Sequence, residues 1–491
     1  MELTLLTTAI VAVMAFGFAF YRYGLADKPG KPMIHSRGYN MFYSPWCVFI
    51  YPAVRILLDF CGKQMGYQPG DILTELVSYL FMIIFTMVVY YAVLYIVTKL
   101  FREKLYADTI VLLWMLPGLL YFRLINSNDA EPSVIIPISG KIVMIGIIIW
   151  ILGFIIKFGQ AYYVHKKFVG EVMSDAREVT VSDEQQRLWV LKKEIALILQ
   201  QNHNLKEKQF DAIKVYVSGK VKTPLTIGFS YGSAKIVLPN REYSTKELSW
   251  IFRHELIHIV HGDPANKLFM TVTSDLLWFF PLYQWLTNRA FEDIELACDE
   301  KVLGGADEEI KRFYGNLVLN TAGESRGFTS CLSANASSMR YRLQKIMNPV
   351  EKYPARNIWI VTLMAVILTF SYGNITLAVD PKPISQVIVD IDPGFSMEEC
   401  HLNRKEKDIN PEDLKTFLEQ TKVYAIEGTY YTDYENDSLF FALEDNGKEY
   451  ELLFDGHGVY VWVRNDWHMT FYLPEKNWQE AWTKLGLELP K

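Results

Sequence analysis

Long apolar runs separated by short charged stretches dominate the first third of the chain, and most are close to the roughly 20 residues that a helix needs to cross a bilayer. They cover residues 3–21, 76–100, 109–125 and 134–156, and 41–60 is counted as a further span although Pro45, Pro52, Arg55 and Asp59 interrupt it. Beyond residue 157 the pattern becomes that of a mixed folded domain. Residues 185–201 repeat their apolar positions at helical spacing, whereas 213–217 and 235–238 are short β-type runs. Segments 223–229 and 234–239 read as two strands about the turn Ser230-Tyr231-Gly232-Ser233. One more apolar run, 358–377, precedes a last region with a helix-like stretch at 411–421. There, alternating aromatic runs flank Asp445-Asn446-Gly447, a strong hairpin signal, and 458–472 suggests a second hairpin.

Charge orders these runs across a membrane. The first lacks Lys and Arg and is followed by Arg22, Lys28, Lys31 and Arg37, so the positive-inside rule puts the N-terminus outside. Phe18-Ala19-Phe20-Tyr21-Arg22 has no small-residue cleavage site, which makes this run an uncleaved anchor. Lys99, Arg102 and Lys104 mark a cytoplasmic turn and Asp129 and Glu131 an external loop. The chain then re-enters the cytoplasm at Lys157, His165, Lys166 and Lys167. The expected fold class is a membrane α-helical bundle over 1–157, a cytoplasmic α+β domain over 158–357, a last transmembrane helix over 358–378 and a small extracytoplasmic α+β sensor domain over 379–491.

Composition narrows the function. Of 491 residues 51% are hydrophobic, in keeping with a part in lipid, and a net charge of -6 removes the basic surface that direct nucleic-acid binding requires. The five cysteines are scattered with no CxxC spacing, and they read as free thiols.

The candidate chemistry lies in His254-Glu255-Leu256-Ile257-His258 and, downstream, Glu295-Leu296-Ala297-Cys298-Asp299. Histidines four apart share one helix face, so both imidazoles can reach a single ion, and Glu295 supplies a third ligand from a second helix. Zinc held by His254, His258 and Glu295 would activate water, with Glu255 as the base that takes its proton and passes it to the departing amide nitrogen. Asp263 and Asp299 are candidates for the carboxylates that hold the far ring nitrogens, although a turn or cap role suits Asp263 equally. Cys298 reads as a buried structural thiol facing elsewhere, and His261, offset in helical phase, as a surface histidine. His457 and His468, isolated in strand-rich sequence, read as structural. Residues 274–286 are too apolar for a solvated loop. Trp278, Tyr283 and Trp285 suit a lipid headgroup depth, and burial in the domain core is the competing account.

These residues together resemble the BlaR/MecR type of integral-membrane zinc metallopeptidase, whose members act as antirepressors. The likeness covers most of 1–379. It is carried by Pro224-Leu225-Thr226 to Leu238-Pro239, the stretch 254–263, Trp278 to Trp285, and Glu295 to Asp299. The resemblance implies a gluzincin-like zinc metalloprotease domain with His254, His258 and Glu295 as ligands and Glu255 as the catalytic residue. It further implies a cytoplasmic repressor protein as substrate, self-cleavage within 323–347, a homodimer, and an extracytoplasmic ligand or partner. A membrane quality-control peptidase and a non-proteolytic receptor or scaffold are the other readings. Past Asp380 no serine with a lysine three residues on matches the penicillin-binding pattern of beta-lactam sensors, so sensing by acylation is not expected.

Overall fold

The computed structural model describes residues 2–20, 53–54, 57, 72–118, 134–180, 185–201, 205–321, 330–331, 336–348, 352–371, 375–387, 396–402, 405–406, 409–425, 439–445, 448–454, 458–463, 467–473 and 485. The expected span 41–60 therefore lies almost wholly outside them. Helices run α1 (Glu2–Ala19), α2 (Ile72–Phe101), α3 (Ala107–Met115), α4 (Gly140–Met173), α5 (Gln185–Gln201), α6 (Thr245–His261), α7 (Asp263–Leu276), α8 (Pro281–Val302), α9 (Glu308–Asn320), α10 (Ala336–Met347), α11 (Pro354–Ser371), α12 (Ile384–Val387) and α13 (Pro411–Gln420).

Among the described residues the strands form two sheets. The smaller has the order β2 (Arg177–Glu178), β3 (Lys214–Ser218), β5 (Lys235–Pro239), β4 (Leu225–Ile227), β6 (Ser330–Cys331). Here β3 and β5 are parallel and the other pairs antiparallel. The larger has nine strands in the order β1 (Val134–Ile138), β7 (Ile375–Pro383), β10 (Lys422–Ala425), β14 (Trp467–Tyr472), β13 (Gly458–Val463), β12 (Lys448–Phe454), β11 (Leu439–Asp445), β8 (Ser396–Leu402), β9 (Lys405–Glu406). Both expected hairpins are present, with Asp445 opposite Lys448 and Val463 opposite Trp467.

Among the described residues, two helices are long and apolar enough to cross a membrane, Tyr79–Lys104 and Gly140–Met173; shorter apolar helices occupy Ala9–Ala19, Ala107–Gly118 and Pro354–Leu368. Two expected span limits need correction. The run expected as a helix from residue 134 begins instead as β1, which pairs in parallel with β7, and α4 starts only at Gly140. Pro137 lacks the N–H that a helix interior needs, yet it is accommodated in a strand at a sheet edge. The last apolar helix ends at Ser371, and Ile375–Ala378, expected inside it, already belong to β7.

Two of the hydrophobic cores meet at α8. One joins the apolar helices to the domain: Tyr91, Trp114, Phe269, Tyr283, Leu286, Ile294 and Met364 belong to it. The other packs Val190, Ile198, Val215, Ile236, Phe252, Leu256 and Val260 between helix and sheet. Trp278 ties α4 to this arrangement. Its indole N–H donates to the Trp150 carbonyl at 3.2 Å while that of Trp150 donates to the Leu276 carbonyl at 2.8 Å. The ring lies over Gly153, where an added Cβ would stand 2.3 Å from an indole carbon.

Candidate metal centre and active site

Local sequence rules build the metal helix. Ser244 caps α6 by accepting from the Glu247 N–H, and Glu247 reaches back to the Ser244 N–H at 2.8 Å, a capping box. At the other end Gly262 takes the left-handed conformation, φ 68°, that stops the helix, and Asp263-Pro264 starts the next one at once. This tight reversal swings Asp263 back onto its own neighbour. Its Oδ2 accepts from Nδ1 of His258 at 2.8 Å, and Asn266 holds its Oδ1 at 3.1 Å. The turn role and the histidine-holding role foreseen for Asp263 are therefore one geometry.

The three expected ligands come together. Nε2 of His254 lies 3.0 Å from Nε2 of His258, and Oε2 of Glu295, from α8, lies 3.7 Å from each. A tetrahedral ion with bonds of about 2.0 Å needs donors about 3.3 Å apart, so the triangle fits. Two imine lone pairs this close repel unless a proton or a metal ion lies between them. His254 also has its far nitrogen held: Nδ1 donates to the Tyr314 hydroxyl at 2.8 Å, which donates in turn to Oδ1 of Asp299 at 2.8 Å. Asp299 thus reaches His254 through a tyrosine rather than directly, its Oδ1 being 3.6 Å from Nδ1. With both Nδ1 atoms committed as donors, both Nε2 lone pairs face the ligand position.

Charge gives a second test of fit. Glu255, Asp263, Glu295 and Asp299 are all buried here, and among the described residues the nearby buried Lys and Arg are Lys267 and Arg342. Arg342 grips Asp299 with two bonds of 2.8 and 2.9 Å and places Nη1 3.3 Å from Oε2 of Glu295. Lys267 donates to Oε1 of Glu295 at 3.1 Å, leaving Oε2 for the imidazoles. The cluster is two positive charges short, which a divalent ion supplies.

Without an ion, protons fill the deficit. Burial works against a charged His254, yet Cys298 and Glu295 lift its pKa to about 9, and His258 is likewise raised by Cys298, Glu295 and Asp263 against burial. Burial pushes Glu295 up, but Lys267 and the two histidines outweigh it and hold the carboxyl well below its ordinary value. An ion entering below about pH 9 must displace the His254 proton, so its affinity falls as pH falls. Chelator-buffered zinc titrations at pH 6, 7 and 8 are expected to weaken by about tenfold or more per unit toward acid. A flat profile would contradict the proton count.

Three expectations change. Cys298 is buried, as expected, but does not face elsewhere. It lies three residues past Glu295 on the same helix face, with Sγ 3.3 Å from Nδ1 of His254, and His254, His258 and Cys298 form a second possible metal set, their ligand atoms within 4.8 Å of one another. His261 is no surface histidine: it is 1% exposed, because α6 has a core on more than one side and a position off the metal face still meets protein. Tyr283 is also buried, 4.3 Å from the Tyr91 ring centroid, whereas Phe279 and Trp285 are exposed. The 274–286 segment therefore divides between the two accounts.

Glu255 stands between the histidines on α6, and Thr226 of β4 donates to its Oε2 at 2.6 Å. Thr226 entered the sequence reading only as part of the Pro224-Leu225-Thr226 motif, and Lys267, Tyr314 and Arg342 did not enter it. Only Lys267, four residues after Asp263 on one helix, had a spacing that could have found it.

Residues 122–346 match the family described as BlaR1 peptidase M56. The chain is also 24% identical over 343 residues to "Regulatory protein BlaR1" of Bacillus licheniformis, covering 68% of this chain and 53% of that protein. It thus spans about half the length of the curated relative it matches. The resemblance read from the sequence is borne out, and the family implies a bound metal, typically zinc.

Proposed function

We propose that this chain is a membrane zinc endopeptidase that relays an extracytoplasmic signal to the cleavage of a cytoplasmic transcriptional repressor, and of itself. The observation that carries the reading is the convergence of His254, His258 and Glu295 beside Glu255 in a buried cluster lacking two positive charges. In it, His254, His258 and Glu295 hold the zinc, which when bound polarises water and the scissile carbonyl. Glu255 takes the proton of the attacking water and delivers it to the leaving amide nitrogen. Asp263 fixes His258, and the Tyr314–Asp299–Arg342 chain fixes His254, each holding an imidazole in its ligand tautomer.

Substrate binding as an added strand is supported by β4 and β6. Leu225 is in register with Cys331 and Thr226 with Ser330, so a segment of the chain's own 323–347 region rests on the strand beside Glu255. The opposed locations of the two lobes are supported by α4. At its start the Gly140 N–H donates to Asp380 of the nine-stranded sheet at 2.8 Å, and at its end Phe168, Val169 and Val172 pack with Leu225 and Ile227 of the protease sheet. Exposed Ile142, Ile145, Ile149, Leu152 and Ile156 along α4 suit contact with lipid.

The test compares cells carrying the wild type, Glu255→Gln and a chain lacking 380–491, with new protein N-termini read by mass spectrometry. A DNA-binding regulator cut only by the wild type under inducing conditions, with its cleavage made constant or lost on truncation, supports the relay. A broad set of cut membrane proteins, indifferent to truncation, would replace it with quality control.

A further inference from the structure

We propose that Thr226 is a positioning residue through which the substrate-binding edge of the sheet sets the orientation of the catalytic carboxylate. The inference rests on the peptidase reading above. Thr226 is the middle residue of β4 and is fully buried; its backbone is in register with Ile236 on one side and Ser330 on the other. Side chains alternate along a strand. Leu225 and Ile227 pack with Val172, Val221 and Val237, so Thr226 is left to face the metal helix, where its hydroxyl meets Oε2 of Glu255 at 2.6 Å.

Packing alone does not call for a hydroxyl. Valine has the same shape, and burying an oxygen costs stability unless it finds a partner. The partner here is a carboxylate, and a hydroxyl-to-carboxylate bond of this length is short and charge-assisted. Branching at Cβ restricts χ1, so the hydroxyl follows the strand backbone with little freedom of its own. A peptide that takes the place of β6 on β4 fixes that backbone and thereby the oxygen of Glu255 to which the threonine is bound. The other carboxylate oxygen is then oriented for proton transfer. The main-chain groups that bind the peptide are unaffected by the side chain, so the effect falls on turnover and not on binding.

The test uses the full chain in detergent or lipid nanodiscs, a quenched-fluorescent peptide copying residues 322–335, and the variants Thr226→Val and Thr226→Ser. Thr226→Val is expected to keep its zinc, lose tenfold or more in kcat with KM little changed, and shift the infrared carboxylate band assigned by difference against Glu255→Gln. Thr226→Ser should recover most of kcat and the band. An unmoved band in Thr226→Val, an unchanged kcat, or a loss that serine does not restore each overturns the role. A wild type that cleaves nothing counts against the peptidase reading itself, and the band then decides alone whether the threonine holds the carboxylate.

Discussion

Glu255→Gln is expected to retain about one zinc per chain while lowering peptide hydrolysis about 10²–10⁴-fold, the range that a positioned acid–base group contributes. The amide has nearly the shape of the carboxylate and can still accept from Thr226, so the buried cluster should persist. What it lacks is a site for the proton of the attacking water. Removing one buried negative charge also leaves the cluster less negative, so zinc affinity should drop modestly rather than vanish. Metal content by mass spectrometry and cleavage by fluorescence separate the two effects. Retained metal with undiminished cleavage would remove Glu255 from its assigned role, whereas a chain that loses its zinc would show the residue to be chiefly structural.

Arg342→Met should have the largest effect on stability. The guanidinium is 1% exposed and neutralises Asp299 through two bonds while approaching Glu295. Its pKa is raised further from its already high value, for Asp299 and Glu295 outweigh the burial that opposes its charge. Taking it away leaves a buried carboxylate without its cation, a change that costs about 3–5 kcal/mol. For a domain of about 200 residues that corresponds to a fall in Tm of roughly 6–20 °C. Arg342→Lys should lie between, keeping the charge and losing the paired geometry. Thermal unfolding of the intact chain, followed by tryptophan fluorescence, measures both. A drop below about 1 kcal/mol in Arg342→Met would mean that Asp299 has another source of compensation.

Much of this architecture was legible because it depends on local rules. The helix 185–201 and both C-terminal hairpins follow from spacing and turn chemistry, and the two strands about Ser230–Ser233 follow from short β-type runs on either side of a turn. The metal helix carried its cap, its stop and its histidines in one stretch. What escaped depends on partners distant in sequence. Tyr314 and Arg342 reach the site from α9 and α10, and nothing in their immediate neighbours marks either one. The strand at 134–138 looked like the start of a membrane helix because apolar content alone does not separate an apolar strand from a helix; its partner lies more than 200 residues away. His261 was misplaced for a related reason, since helical phase predicts a solvent face only when one side of the helix is packed.

The indole of Trp278 against Gly153 has a mechanical corollary. At about 1.5 Å per residue α4 is roughly 50 Å long, well beyond the roughly 30 Å of a bilayer's hydrocarbon, and no proline interrupts it. It is therefore a stiff rod, pinned about two-fifths of the way along and attached to a sheet at either end. The arms on the two sides of that fulcrum are about 20 and 30 Å. A sideways push of 1 Å at the Gly140 end, transmitted without bending, would swing the Met173 end by about 1.5 Å in the opposite sense. The strand that carries Thr226 rests against that longer arm.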